Sequence, residues 1–223
     1  MASKLIGIVG NTGTGKSTSI KHLDFKETYI INVAKKELPF KGAEKMYNTE
    51  NKNYKEVDDI NDVTRLLLTL SEKAPQIKNI IIEDSNYMMS FRMAEKATEV
   101  GFTKFTILMR DMVDLFKTAR KLRDDIKVFY FSHPETIEDG GEIVGYKIKT
   151  SGKALDNQIA LEGLFTICLY TYVEESKDGA ANYYFLTNRF KKFPAKSPSG
   201  MFEELKVPNN LSLVCKKVDE YYS

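Results

Sequence analysis

Short apolar runs alternate with amphipathic stretches along most of the chain. The apolar runs are residues 4–9, 28–32, 79–84 and 127–133. Each has the length and composition of a buried strand. Between them, apolar residues recur at helical spacing over residues 60–74, with Asp58 as the expected N-cap, and over residues 103–122. Strands that alternate with helices predict an α/β fold whose central sheet is mostly parallel and covered by helices on both faces.

The second half of the chain predicts further strands. A β-hairpin extension is expected around Asp139-Gly-Gly141, and residues 164–173 and 182–187 are predicted as two strands joined by a Lys-Asp-Gly turn. Asn210 is expected to open a final amphipathic helix. Residues 33–57 show little periodicity, so only irregular structure with short strands is expected there. Because no repeat or linker divides the chain, residues 1–223 are predicted to form one domain.

Charge and cysteine content narrow the class of protein. The 223 residues carry a formal net charge of only +2, so contact with nucleic acid would need a local basic patch. Cys168 and Cys215 are far apart and lack the spacing of a metal site. No apolar run approaches the length of a membrane span, and the N-terminus lacks the layout of a signal peptide. A cytoplasmic protein with reduced thiols is therefore expected.

The first apolar run leads into a loop with the spacing G-x-x-x-x-G-K-S, after which a short helix is predicted. This spacing is typical of a phosphate-binding loop, because its glycines let successive backbone N–H groups converge on phosphate oxygens. Lys16 is expected to reach the β- and γ-phosphates of ATP, and Ser17 to ligate Mg²⁺. The opening helix would add its positive dipole end. The predicted nucleotide-binding residues are Gly10, Asn11, Thr12, Gly13, Thr14, Gly15, Lys16, Ser17 and Thr18.

The apolar run at residues 79–84 ends in two acids, Glu83 and Asp84. In a parallel sheet this places a carboxylate at the edge where ligands bind. One acid can hold Mg²⁺ through water while the other polarises the attacking water. We favour Asp84 as the metal-linked acid and Glu83 as the water-polarising one; the reverse stays open, because neighbouring strand residues point to opposite faces. The alternative is that both acids merely end the strand in solvent.

His133 ends the next central strand, at the same predicted edge as the acids. It is a candidate sensor of the γ-phosphate that relays its state to the following segment, or a strand-end histidine that bonds a backbone group. That segment contains Lys147, Lys149 and Lys153. These lysines are candidate contacts to the backbone of single-stranded DNA, and a solvated loop is the alternative.

Four cations follow the last predicted strand: Arg189, Lys191, Lys192 and Lys196. In an oligomeric ATPase such a cation can enter the active site of the neighbouring subunit and stabilise transition-state charge. Arg189 is the candidate for this role, and the tail of residues 188–223 would then lie at a subunit interface. A basic surface turn is the alternative.

Four motifs follow one another along nearly the whole chain: the glycine-rich loop, the Ile-Ile-Ile-Glu-Asp strand, the Phe-Ser-His strand and the Asn-Arg-Phe-Lys-Lys-Phe-Pro tail. Together they resemble RecA-type P-loop ATPases. More closely similar are small phage ATPases linked to DNA recombination and single-strand annealing. The segments that carry this likeness are Ile-Glu-Asp-Ser-Asn-Tyr-Met-Met, Lys-Thr-Ser-Gly-Lys-Ala-Leu-Asp, Ala-Lys-Ser-Pro-Ser-Gly-Met-Phe and Val-Pro-Asn-Asn-Leu. The resemblance implies a phage-encoded protein in the host cytoplasm that hydrolyses ATP. It also implies an oligomer, a ring or a filament, that acts on single-stranded DNA with an annealing or single-strand-binding protein.

Two positions depart from the recombinase pattern. Thr187 stands where that family has a second in-trans cation. The catalytic glutamate that recombinases carry at the end of the second core strand has no clean counterpart, because Glu37 lies several residues late. Because of this second departure, Glu83 becomes the stronger candidate for the acid that polarises the attacking water.

The residues and the resemblance together predict a Mg²⁺-dependent ATPase with a RecA-like core that couples ATP to single-stranded DNA binding in recombination or replication. The predicted catalytic residues are Lys16, Glu83, Asp84, His133 and Arg189. A small-molecule or nucleotide kinase is one alternative, although the arginine-rich lid that it would need has no counterpart in the sequence. A nucleotide-binding switch or motor subunit without rapid turnover is the other.

Overall fold

A computed structural model describes residues 2–151, 160–176 and 178–223. Its strands are β1 (Lys4–Val9), β2 (Thr28–Asn32), β3 (Tyr54–Glu56), β4 (Asn79–Glu83), β5 (Lys127–Ser132), β6 (Pro134–Asp139), β7 (Glu142–Ile148), β8 (Ile167–Glu175), β9 (Ala181–Leu186) and β10 (Lys206–Pro208). Eight of them form one sheet in the order β10-β9-β8-β1-β5-β4-β2-β3. The remaining two, β6 and β7, pair as a separate hairpin.

The main sheet is parallel from β8 through β3 and antiparallel only at the edge formed by β9 and β10. Strand β1 pairs with β5 on one side and β8 on the other, and β4 lies between β5 and β2. Because parallel strands end at the same edge, the segments that follow β1, β2, β4 and β5 converge there. This convergence creates the candidate site.

Helices cover both faces of the sheet. They are α1 (Ala43–Met46), α2 (Ile60–Lys73), α3 (Asn86–Glu95), α4 (Thr103–Ala119) and α5 (Leu211–Tyr222), with 3-10 helices at Ser17–His22 and Leu161–Leu164. Alternate strand side chains enter different layers. Ile80 and Ile82 belong to the core that includes α2, α3 and α4, whereas Ile81 belongs to the core that includes α5 and the first 3-10 helix. The predicted α/β class, with a mostly parallel sheet flanked by helices, is confirmed.

Three predicted boundaries were wrong. Helix α4 ends at Ala119, three residues before the predicted end at residue 122. The N-cap of α2 is Asp59, whose carboxylate accepts hydrogen bonds from the backbone N–H groups of Asn61 and Asp62. Asp58 lies one residue too early for this role and instead pairs with Lys35 at 2.6 Å. The strand predicted from residue 164 begins at Ile167, because the 3-10 helix Leu161–Leu164 occupies the preceding residues.

Short or polar elements were not predicted individually. Strands β3 and β10 have three residues each, and α1 has four, which is too short for a periodic signal. Helix α3 is longer, but its apolar face is narrow, since its only buried residues are Asn86, Met88 and Met89. All four elements contribute to the core or to the edges of the main sheet.

The predicted hairpin is present and begins directly after His133. At its base, Lys149 N donates to His133 O at 2.9 Å, and Tyr146 N donates to Lys192 O at 3.1 Å. The Tyr146 ring stacks on Phe193 with 4.6 Å between centroids. Toward the tip, Ile137, Ile143 and Val144 are exposed.

None of the helices in the described ranges combines the length and the apolar character that crossing a membrane requires.

Candidate active site

The glycine-rich loop joins the carboxyl end of β1 to the 3-10 helix Ser17–His22. Gly10 N donates to Ser132 O at 3.1 Å, so the loop starts against the end of β5. A Cβ on Gly10 would lie 2.0 Å from Thr171 Oγ1, so glycine alone allows this approach of β1 to β8. Farther along, Gly15 has a φ of +84°, in the left-handed region that favours glycine. Packing therefore sets the start of the loop, and backbone conformation sets its bend.

A cleft of about 770 Å³ lies over this loop. Most of the predicted nucleotide-binding residues line it: Asn11, Thr12, Gly13, Gly15, Lys16, Ser17 and Thr18. Thr14 does not line the cleft; its hydroxyl meets Thr171 Oγ1 at 2.6 Å and donates to Asn11 O at 2.7 Å. The volume falls in the range typical of small-molecule sites.

Lys16 and Ser17 meet the two acids that follow the Ile-Ile-Ile run. Lys16 Nζ lies 2.8 Å from Asp84 Oδ1 and 3.4 Å from Glu83 Oε1, and its side chain is buried. The Ser17 hydroxyl donates to Glu83 Oε1. Burial opposes the charged form of Lys16, but the charges of Glu83 and Asp84 outweigh it and raise the lysine pKa above its ordinary value.

Glu83 and Asp84 are both fully buried, so they do not merely end a strand in solvent. Glu83 is the last residue of β4, and its Oε2 has no hydrogen-bond partner among the described residues. Asp84 follows with a φ of +54°, which is uncommon for a residue other than glycine. Such strain persists where the surroundings enforce it, and it concentrates at functional sites.

Lys36 is a site residue that the sequence reasoning missed. Its Nζ forms an ion pair with Asp84 Oδ2, and its side chain is 51% exposed and lines the cleft. It reaches Asp84 because β2 pairs with β4 so that Asn32 lies opposite Glu83. The residues just after β2 therefore run beside Asp84. The pairing of β2 with the acid-ended strand is the signal that could have revealed it.

His133 lies directly after β5, with Nε2 3.4 Å from Asp84 Oδ1. Its backbone N–H donates to Asn86 Oδ1 at 3.3 Å, and its ring makes an edge contact with Tyr87, with 6.1 Å between centroids. Lys16, Lys36, Glu83, Asp84 and His133 thus form one contiguous set, which we call the charged cluster. Burial would raise the pKa of Asp84, but the hydrogen bond from His133 and the charges of Lys16 and Lys36 hold it well below its ordinary value.

Of the other predicted site residues, those that the structure describes are not members of this cluster, although Lys149 N donates to His133 O. Lys147 is in β7, where its Nζ is 3.6 Å from Glu135 Oε2, and Lys149 is exposed just after the strand. Lys153 lies outside the described residues. Arg189 is exposed in the turn after β9 and does not line the cleft of its own chain. Glu37 does line the cleft, next to Lys36.

The Ser17 hydroxyl and the Glu83 carboxylate beside it are oxygen ligands of the kind that Mg²⁺ prefers. The unpartnered Glu83 Oε2 leaves an acceptor for a cation or for its bound water. Within the described ranges, no group of three His, Cys, Asp or Glu side chains could hold a metal by itself. Mg²⁺ commonly binds through one or two protein ligands together with phosphate and water, so the residues present fit a metal that arrives with a nucleotide.

Comparison of the sequence with protein-family models gives no match, and comparison with curated proteins gives none either.

Proposed function

We propose that this chain is a P-loop ATPase with a RecA-like core, which binds ATP with Mg²⁺ over the glycine-rich loop and hydrolyses it. The observation that carries the proposal is the contact of Lys16 and Ser17, which line the cleft, with the buried acids Glu83 and Asp84. A lysine, a hydroxyl and two buried carboxylates at the end of a phosphate-type loop are the parts that phosphoryl transfer needs.

Phosphate binding would rearrange the charged cluster. Lys16 now forms ion pairs with two buried carboxylates. With ATP present, Lys16 would turn to the β- and γ-phosphates, and the loop N–H groups would bind the same oxygens. When bound, Mg²⁺ would supply the charge that replaces the ammonium beside the acids. Lys36, whose side chain is half-exposed and lines the cleft, would follow the γ-phosphate.

The sequence favoured Asp84 as the metal-linked acid and Glu83 as the water-polarising one. The contacts favour the reverse assignment. The Ser17 hydroxyl bonds Glu83, so these two groups would hold Mg²⁺ together. Asp84 contacts His133 and Lys36 on the cleft side, and its low pKa keeps it ionised. Asp84 would therefore orient the attacking water and accept its hydrogen bond, while His133 reports the state of the γ-phosphate to the hairpin.

A pair of isosteric variants tests these roles. Asp84→Asn is expected to lower the rate of phosphate release by about 10²–10⁴-fold while ATP still binds, because it removes an acceptor used in the transition state. Glu83→Gln is expected to raise the Mg²⁺ concentration that gives half-maximal rate. Both are measured by phosphate release across a Mg²⁺ titration. If both variants hydrolyse ATP like the wild type, the switch or motor alternative replaces the proposal; transfer of phosphate to an added nucleoside favours the kinase.

We further propose that hydrolysis is coupled to single-stranded DNA through the segment after His133, in an oligomer whose Arg189 completes the site of a neighbour. In support, Lys149 N bonds His133 O, so a shift of the histidine moves the base of the hairpin. The exposed Arg189 lies away from its own cleft, which suits a contact in trans. The proposed partner in the cell is a phage annealing or single-strand-binding protein.

Phosphate release measured with and without single-stranded DNA tests this coupling. DNA is expected to stimulate the wild type at low salt, and less so at moderate salt, because the contacts are ionic. Replacing Lys147, Lys149 and Lys153 by Ala should remove the stimulation and leave basal release intact. Replacing Lys216 and Lys217, two lysines on α5 away from the cleft, serves as the control. A rate indifferent to DNA under both salt conditions contradicts the coupling.

A further inference from the structure

Several side chains that line the cleft lie outside the charged cluster, and they form what we call the second end of the cleft. It is lined by Tyr183 at β9, by Pro208 and Asn209 at the end of β10, and by Lys21 and His22 of the first 3-10 helix. A nucleoside triphosphate whose phosphates lie over Lys16 must place its sugar and base elsewhere in the cleft. This end is the part that the charged cluster leaves open.

Tyr183 presents a ring at this end. Its side chain is 44% exposed, and its Cδ1 lies 3.0 Å from the position that a Cβ on Gly15 would take. The ring therefore rests on the phosphate loop itself and projects into the cleft. Its sheet neighbour Tyr184 faces the opposite side of β9, since strand residues alternate. An exposed aromatic face beside a phosphate site suits stacking against a nucleotide base.

Asn209 adds a directional group beside this ring. Its backbone N–H donates to Tyr183 O at 3.1 Å, which ties the residue to the edge strand. Its side-chain Nδ2 and Oδ1 each lie 3.4 Å from the Cβ position of Gly15. The Nδ2 atom is buried and has no hydrogen-bond partner in the described part of the chain. A buried amide donor without a partner costs free energy, so a ligand that accepts its hydrogen bond is favoured.

The side chain after Asn209 is already engaged. Asn210 Oδ1 accepts from the backbone N–H groups of Ser212 and Leu213 as the N-cap of α5. Both asparagines of the Val-Pro-Asn-Asn-Leu segment line the cleft, but the Asn210 side chain caps α5, whereas the Asn209 Nδ2 has no partner among the described residues.

We propose that Tyr183 and Asn209 bind the base of the nucleotide and select adenine, an inference that rests on the proposed nucleotide site. An asparagine amide offers one donor and one acceptor, which matches the N7 acceptor and the N6 donor of adenine. Guanine presents two acceptors, O6 and N7, on the corresponding edge, so one of its atoms would face the amide oxygen unpaired. Tyr183 contributes affinity for any base, and Asn209 discriminates adenine from guanine.

Calorimetric titration of the full chain with Mg²⁺-ATP, Mg²⁺-GTP and inorganic tripolyphosphate tests the assignment. The wild type is expected to bind ATP at least about tenfold tighter than GTP, which corresponds to one bidentate pair. Tyr183→Ala should weaken both nucleotides by about tenfold, because stacking tolerates any base. Asn209→Ala should weaken ATP by about tenfold and leave GTP within about twofold. The control Tyr184→Ala should leave binding of both nucleotides unchanged, and all three substitutions should leave tripolyphosphate binding unchanged.

The three ligands separate failure of this inference from failure of the proposed function. Equal binding of ATP and GTP by the wild type, or an equal loss of both in Asn209→Ala, overturns the base assignment. ATP bound no more tightly than tripolyphosphate also overturns it, while the phosphate site stands. If the wild type binds neither ATP nor tripolyphosphate, the proposed function fails and the base assignment fails with it.

Discussion

His133 belongs to the charged cluster and directly precedes the hairpin of β6 and β7. The two regions differ in how far their charged side chains are exposed to solvent. In the cluster, Glu83, Asp84 and Lys16 are buried, and their ion pairs are in contact with one another. In the hairpin, charges are at the surface, and the Lys147–Glu135 pair at 3.6 Å is partly exposed. Apolar side chains at the hairpin tip are exposed as well.

This difference in burial predicts that the charged cluster governs folding stability and that the hairpin governs the response to a partner. Removing one partner of a buried ion pair costs about 3–5 kcal/mol, whereas an exposed pair contributes about 0–1 kcal/mol. Substitutions in the cluster should therefore change both folding and chemistry. Substitutions in the hairpin should leave folding nearly unchanged and alter only the response to a partner. A segment that moves during function needs low local stability, and the hairpin has the exposed contacts that give it.

The largest effect is expected for Asp84→Asn, which removes a buried charge and keeps the side-chain shape. At neutral pH the variant should lose about 3 kcal/mol of unfolding free energy. Asn tolerates a φ of +54° as well as Asp does, so the backbone contributes little to this loss. Because the folded-state pKa of Asp84 lies below its ordinary value, its stabilisation is complete above the unfolded pKa of about 4 and declines as pH falls below it.

Urea unfolding of both proteins between pH 7 and pH 3 measures this difference. The gap between wild type and Asp84→Asn should be constant above about pH 5 and shrink below about pH 4. Asp139→Asn, at the hairpin turn, is the matched control from the other region and should follow the wild type throughout. A gap that stays constant down to pH 3 would contradict the low pKa of Asp84.

A smaller effect is expected for Gly10→Ala, at the base of the loop. The added Cβ would meet Thr171 Oγ1 at 2.0 Å and Thr14 Oγ1 at 2.9 Å, so β8 or the loop must move. Overpacking of this kind costs about 1–3 kcal/mol. Gly163→Ala makes the same change where nothing lies within 4 Å of the new Cβ, and it should be nearly neutral. Thermal unfolding compares the two variants; equal melting temperatures would show that the contact yields freely.

That most members of the charged cluster lie together could be predicted from the sequence, because the signals are local. The loop spacing needs eight consecutive residues, and the acid-ended strand needs five. Lys36 could not be found in this way. It lies in the aperiodic stretch after β2, and it reaches Asp84 only through the pairing of β2 with β4, a contact between residues 48 positions apart. The roles of Glu83 and Asp84 likewise depend on which carboxylate meets Ser17, which alternation along a strand leaves undecided.

The elements of the fold also fall into two groups, those with a local sequence signal and those defined by pairing with distant residues. Helices α2 and α4 were predicted because burial of one face imposes a helical period, and the central strands were predicted because burial of both faces gives continuous apolar runs. The strands β3 and β10 could not be recognised, since three residues carry no period and pairing with a neighbour defines them. Asn209 became a candidate only once β10 placed it beside Gly15.

The smallest effect is expected for Tyr146→Leu, which tests how the hairpin is attached. The Tyr146 ring stacks on Phe193 at an interplanar angle of 16°, next to the turn that carries Arg189. Loss of this aromatic pair should cost about 1 kcal/mol of unfolding free energy, because leucine keeps apolar contact but cannot stack. Basal phosphate release should stay at the wild-type rate, since no atom of the charged cluster is touched, while stimulation by single-stranded DNA should fall. Val144→Ala, at the exposed tip, is the control and should change neither quantity. If Tyr146→Leu lowers the basal rate as much as the stimulated rate, the hairpin is part of the catalytic structure, and the separation of stability from response does not hold.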